Sequence, residues 1–180
     1  QKKKKLARVI IGGEISLKVG VYSALGAVVI GIIMGLVSGY YGGFLDMIVM
    51  RFADVQLALP FILLAITFIA VIGGGLTNMI ILLIISQWVQ YARLVRGSVL
   101  SLRDREFILA AKAIGVKDIR ILFQHLLPNL IGPVIVLMTL NVANNILLES
   151  SLTFLGLGVD PVIPSWGGML AEGRTYLQTA

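Results

Sequence analysis

From Val19 to Leu45 the chain reads VGVYSALGAVVIGIIMGLVSGYYGGFL, with Lys18 before it, Asp46 after it and no charged residue between. A helix needs about 20 apolar residues to cross the hydrocarbon of a bilayer, so this run predicts a first transmembrane helix. Val55 to Ala92 is also uncharged but too long for one helix, and Gly73-Gly74-Gly75, followed by Thr77 and Asn78, divides it into a hairpin of two spans. Leu126 to Leu148 predicts a fourth span. Pro128 lies near its start, where a missing backbone N–H costs least, and Pro133 one turn further in is a candidate kink. Beyond Leu148, the breakers Gly156, Gly158, Pro161, Pro164, Gly167 and Gly168 predict loop and short helix.

Composition agrees with a membrane chain. Of 180 residues, 58% are hydrophobic and 13% charged, against about 25% charged in a soluble domain, and the mean hydropathy is +0.96. The expectation is an all-α polytopic membrane protein with about four transmembrane helices. The formal charge of +6 is carried between apolar runs, which fits membrane orientation and argues against nucleic acid as a partner. With no cysteine and one histidine, there is no disulfide framework and no thiolate or histidine-based metal centre, and no cofactor is expected. The start at Gln1 and the end at Ala180 are read as those of a fragment.

Orientation follows from the loops. The segment between spans three and four holds Arg93, Arg96, Arg103, Arg105, Lys112, Lys117 and Arg120 against Asp104, Glu106 and Asp118, so it is expected in the cytoplasm. Arg51 then falls inside, and both the glycine turn at 73–75 and the tail fall outside. Lys2 to Lys5 are thereby placed outside, against the positive-inside trend.

In span one, Ala27, Gly31, Gly35 and Gly39 recur every fourth residue. They form a ridge of minimal side chains that lets another helix approach closely, and helix packing is the expectation rather than a dedicated dimerisation role. Asp46, Arg51 and Asp54 lie at the inner end of spans one and two, where Arg51 and Asp54 are spaced to pair on one helix face. Within the cytoplasmic segment 104–124 the pattern is a helix, a stop and a second helix. Ala110 and Ala111 leave a flat surface, Gly115 suits the left-handed conformation that ends a helix, and Asp118 suits the first turn of the next. Such a loop is a docking surface for a soluble partner; the alternative is a surface helix lying on the membrane.

These residues resemble the "EAA" loop of the permease subunits of bacterial ABC importers, whose pattern is Glu-Ala-Ala, three residues, Gly, nine residues, Ile-x-Leu-Pro. Ala110, Ala111, Gly115, Leu127 and Pro128 match at that spacing, whereas Leu109 stands at the glutamate position, with Glu106 one turn earlier, and His125 stands at the isoleucine position. Both departures resemble the peptide and nickel subfamily. So do Gly39-Tyr-Tyr-Gly-Gly-Phe-Leu-Asp46, Met50-Arg51 with Asp54 and Pro60, and Glu149-Ser-Ser-Leu-Thr-Phe-Leu-Gly-Leu-Gly158 followed by Pro164-Ser-Trp-Gly167. The resemblance implies a single permease domain over 1–180 with the fold of type I importer transmembrane subunits. Six spans are implied in the intact subunit, with one upstream and one downstream of those seen here. It further implies a second permease subunit, two ATP-binding subunits, an extracytoplasmic solute-binding protein and a lipid surround in a bacterial inner membrane or an archaeal cell membrane. Glu106, Ala110, Ala111, Gly115, Asp118 and Pro128 become the candidates for coupling to the ATPase. The chain carries no Gly-Lys-Ser/Thr phosphate loop, so energy is expected from a partner and the chain is expected not to be an enzyme.

Span four carries Thr139, Asn141, Asn144, Asn145 and Glu149, with 141, 145 and 149 on one helical face. Polar groups inside a span seldom face lipid. They either line a path for peptide-sized solute, Asn141, Asn144, Asn145 and Glu149 being the candidates, or hydrogen-bond a neighbouring helix. The competing classes are a permease for nickel or another solute, an ion-gradient-driven transporter, which would favour buried carboxylates and broken helices, and a membrane scaffold.

Overall fold

The computed structural model describes residues 2–158 and 163–179, with side chains described for 6–158 and 163–174. Its helices are α1 (Lys2–Tyr41), α2 (Gly43–Ala58), α3 (Phe61–Ile72), α4 (Leu76–Leu102), α5 (Glu106–Ala113), α6 (Asp118–Arg120), α7 (Leu127–Phe154) and α8 (Trp166–Thr179), and a wider π-helical turn over Ile121–Leu126 joins α6 to α7. Among the described residues there is no strand. Three helical stretches, Leu6–Tyr41, Leu76–Leu102 and Asp118–Phe154, are long and apolar enough to cross a membrane, and α2 with α3 is a fourth if that broken pair counts as one span.

Several boundaries differ from the sequence expectation. Charge does not end α1, which continues back to Lys2 through Glu14 and Lys18. These two lie one turn apart and form an exposed ion pair of 2.7 Å, which a helix surface tolerates. Its other end comes at Tyr41, where Gly42 and Gly43 take φ of +65° and +55°, conformations that other residues adopt only at a cost. The charged stretch Asp46 to Asp54 lies wholly within the helix α2, and the chain breaks at Leu59-Pro60. Proline disfavours the helical conformation in the residue before it, and Leu59 is extended. The break at Gly73–Gly75 stands as expected between α3 and α4. Pro133 lies inside α7, and the π-helical turn ends at Leu126, two residues before Pro128, whose missing N–H and ring obstruct a regular ladder. The tail turns at Gly156 and regains a helix at Trp166. Pro161 and the side chains of Lys2 to Lys5 lie outside the described residues.

The chain divides into two compact units, and α1, α4 and α7 each contribute to both. One unit comprises 1–25, 60–85 and 140–180. Its core is Val19, Ala65, Met79, Leu82, Leu83 and Leu152, flanked by Phe61, Leu64, Phe68 and Leu148. Gly20 brings α1 onto α7, since a Cβ there would lie 2.9 Å from Ile146 Cγ1 and 3.0 Å from the Val142 carbonyl.

The other unit comprises 26–59 and 86–139, with a core of Ala27, Leu36, Tyr40, Tyr91, Val95, Val99, Ile108, Ala111, Ile121, Leu126 and Leu130 among others. Here the small-residue ridge of α1 meets α4. A Cβ on Gly31 would collide with Tyr91 Cβ, one on Gly35 would lie 2.6 Å from the Ala92 carbonyl oxygen, and one on Gly39 would lie 2.9 Å from Val99 Cβ. The ridge is filled within this chain. Outward-facing residues such as Ile33, Phe52, Val71, Val136 and Leu140 are more than half exposed, a distribution that suits lipid or neighbouring subunits as the surroundings and does not suit water.

Candidate functional site

The segment after α4 folds as a helix, a stop and a second helix. Glu106 sits in the first turn of α5 and Lys112 in the last, each opposite in sign to the end of the helix dipole it faces. Gly115 has φ +78°. Its N–H donates to the Lys112 carbonyl at 3.0 Å, and the Val116 N–H donates to the Ala111 carbonyl at 3.0 Å, the paired bonds of a Schellman stop. The chain is extended at Lys117, and Asp118 opens α6. The two alanines separate: Ala111 is buried beside Ile108, whereas Ala110 is exposed. Phe107, Leu109, Ile114, Ile119 and Phe123 are exposed as well, Ile114 to 81%. An ordered loop therefore presents an apolar outer face and a packed inner one.

Polar contacts tie this loop to the end of α1 in the same unit. The Arg103 Nη1 donates to the Gly39 carbonyl at 3.0 Å, and the Tyr40 hydroxyl donates to Asp118 Oδ1 at 2.6 Å. The Lys112 ammonium stands 4.9 Å above the Tyr40 ring, within cation–π range. At the start of α2, Asp46 accepts from Arg96 through both carboxylate oxygens, at 2.5 and 2.6 Å, and also from the Ser38 hydroxyl. The expected Arg51–Asp54 pair does not form; Asp54 accepts from Arg93 at 2.6 Å instead. The reason is tertiary, because α4 brings a basic side chain to Asp54 that lies 39 residues away in sequence. Sequence alone does not mark Tyr40, Arg96 and Arg103 as site residues; the first stands inside the Gly39-Tyr-Tyr-Gly-Gly motif.

In the other unit, the polar face of α7 meets α1. Asn145 is fully buried; its Nδ2 donates to Ser23 Oγ at 2.7 Å and to the Gly20 carbonyl at 3.4 Å. Glu149, also fully buried, accepts from the Ser16 hydroxyl on Oε2 and from the Thr153 hydroxyl on Oε1, both at 2.9 Å. Asn141 is buried and Asn144 is exposed. Asn145 and Glu149 thus take the geometry of the second alternative, hydrogen bonding to a neighbouring helix. The end of α7 also explains the glycines downstream: a Cβ on Gly158 would collide with Thr153, and one on Gly167 would lie 2.5 Å from the Ser150 carbonyl oxygen and 2.9 Å from Thr153 Cβ. Among the described residues no group of three His, Asp or Glu is placed to hold a metal ion.

Residues 27–180 match the sequence profile of the binding-protein-dependent transport system inner membrane component family, a stretch that includes the whole loop. The chain belongs to this family. A dipeptide transport system permease protein of Alkalihalophilus pseudofirmus is 45% identical over 96% of this chain and 57% of that protein. An oligopeptide transport system permease protein of Bacillus subtilis is 42% identical over 94% of the chain and 56% of that protein. A glutathione transport system permease protein of Pectobacterium atrosepticum is 41% identical over 97% and 58%. The chain thus spans little more than half the length of these relatives. Among solved structures, the inward-facing methionine ABC transporter MetNI superposes with a TM-score of 0.71 at 18% identity, over 98% of this chain and 94% of that one. The fold is therefore that of a type I ABC importer transmembrane subunit, and the binding-protein-dependent family is one of membrane-spanning transport components.

Proposed function

We propose that the complete protein is a permease subunit of an ATP-driven importer, forming half of a translocation pathway for peptides or a related small solute. Its partners in this reading are a second permease subunit, two ATP-binding subunits on the cytoplasmic side and an extracytoplasmic solute-binding protein. The assembly would lie in a bacterial inner membrane, and ATP hydrolysis would occur on the partners. The observation that carries the reading is the loop 106–124. Its helix, Schellman stop and second helix fall on the residues that match the family's loop pattern, and they offer an outward apolar face to a soluble partner. Relatives named for dipeptides, oligopeptides and glutathione, all amide-linked, favour peptides over nickel.

In this reading Ala110, not Ala111, faces the ATPase, while Glu106, Gly115, Asp118 and Pro128 set the loop's shape. Asn144 is the exposed candidate for the solute path, and Asn145 and Glu149 hold α1 to α7. The test is co-purification of the ATPase with variants of the full-length permease. Ala110→Trp should lower ATPase recovery while the permease inserts normally, because bulk on the outer face blocks close approach. Ala111→Trp should instead lower the thermal stability of the permease itself, since it forces bulk into a packed interior. Full ATPase recovery and wild-type uptake with Ala110→Trp would remove this face from the mechanism.

A further inference from the structure

Chain connectivity attaches the loop directly to α4 on one side and, through the π-helical turn, to α7 on the other. The end of α1 has no such attachment. It lies 78 residues from Asp118 and 64 from Arg103 in sequence, so movement of the loop reaches it only through non-covalent contacts: the packing of α1 on α4 and the side chains that bridge to the loop. Arg103 reaches the Gly39 carbonyl before α5 begins, and so its bond does not report on the bend between α5 and α6. Tyr40 is placed differently. Its ring lies under the Lys112 ammonium in the last turn of α5, and its hydroxyl is bonded to Asp118 at the start of α6. One side chain of α1 therefore touches both sides of the Gly115 stop. Tyr40 is 9% exposed and belongs to the same core as Leu36, Ile108, Ala111 and Ile121.

We infer that Tyr40 is a positioning residue that carries movement of the loop into α1, through the hydroxyl bond to Asp118 and the Lys112 contact. The inference rests on the proposed role of loop 106–124 as the ATPase-docking element, and it assigns the linkage by which that docking is transmitted. A change in the angle between α5 and α6 moves Asp118 relative to Lys112, and the short Tyr40–Asp118 bond survives it only if the end of α1 follows Asp118 while the flexible Lys112 side chain adjusts over the ring. With Tyr40→Phe, the ring, its packing and the cation–π contact remain, and only the hydroxyl bond is lost. The loop should then dock normally while its movement is passed on poorly.

The experiment uses the complete transporter, reconstituted in vesicles with its ATPase and solute-binding protein. Solute taken up per ATP hydrolysed is measured for wild type, Tyr40→Phe, Asp118→Ala and the double variant. Docking is read in parallel preparations as cross-linking from a cysteine introduced at Ile114 to the ATPase. Uptake per ATP should fall about tenfold in Tyr40→Phe, the scale of one charge-assisted hydrogen bond expressed as an equilibrium ratio. Cross-linking should hold at the wild-type level. Asp118→Ala should act similarly, and the double variant should be no worse than the more affected single one, because both changes remove the same link. An unchanged ratio in Tyr40→Phe with normal cross-linking would overturn the role of Tyr40 alone, and so would multiplicative loss in the double variant. Failure of the wild-type loop to cross-link at all would overturn the docking reading, and this inference with it.

Discussion

Gly115 offers the sharpest test of the loop, because its surroundings separate backbone conformation from packing. At φ +78° it sits where side-chain-bearing residues are disfavoured, and a Cβ built there would meet nothing within 4 Å. Any penalty for substitution is therefore conformational. An L-residue in the left-handed region costs about 1–2 kcal/mol, or roughly a factor of 5–30 in the population of the native turn. Asparagine visits that region at much lower cost than other residues with a side chain, and a β-branched residue is least suited to it. The series Gly115→Asn, Gly115→Ala and Gly115→Val should therefore lower uptake in that order, with Asn nearest to wild type. Releasing the turn also releases the Val116 N–H and the Ala111 carbonyl from their bond, so α6 should lose its fixed direction after α5. The assay is uptake and ATP hydrolysis in reconstituted vesicles, with membrane insertion and ATPase recovery measured on the same preparations. Steric blocking predicts a ranking by volume, in which Asn is worse than Ala. That ranking, or wild-type coupling in Gly115→Val, would refute the left-handed stop as the sensitive feature.

On α1, Gly31→Val should destabilise the permease by about 1–3 kcal/mol through overpacking against Tyr91 and Trp88, read as a lowered melting temperature in detergent; Gly97→Ala, where a Cβ has open space around it, should change little. For Glu149, Gln preserves the shape and can still bond the Ser16 and Thr153 hydroxyls, so Glu149→Gln should alter stability by under about 1 kcal/mol and leave uptake unchanged. Glu149→Leu should cost about 1–3 kcal/mol, because it strands buried hydroxyls; lost uptake at unaltered melting temperature in Glu149→Gln would instead place the carboxylate in the solute path. Cysteines introduced at Thr77 and Lys117 should react with an impermeant reagent from opposite faces of the membrane in the full-length protein, and labelling of both from one face would overturn the proposed orientation.

Much of the loop was legible in sequence because its determinants are local. A glycine that must adopt positive φ, an acid at a helix start and alanines one residue apart are each readable within a few positions, and the stop at Gly115 stands where that reading put it. The glycine break at 73–75 and the small-residue ridge of α1 are local in the same sense. Uncharged length was a poorer guide to helix ends. A bilayer sets how many apolar residues are needed to cross it, but a helix continues past that limit while its charges reach solvent or each other, as Glu14 and Lys18 do.

Sequence by itself determined that this chain is helical, that membrane-compatible apolar runs dominate it, and which loop carries the family's pattern. These follow from composition and from periodicities of a few residues. Tertiary structure alone decided which charges pair and which alanine faces outward. Arg51 and Asp54 have suitable helical spacing, yet Asp54 is claimed by Arg93 and Asp46 by Arg96, because α4 places those guanidinium groups beside them. Likewise the polar face of α7 was visible as 141, 145 and 149, but only the approach of α1 at Gly20 supplies Ser16 and Ser23 to Glu149 and Asn145. The physical reason is that a hydrogen bond is made where donor and acceptor come within about 3 Å, and for partners 39 to 133 residues apart that distance is set by helix packing.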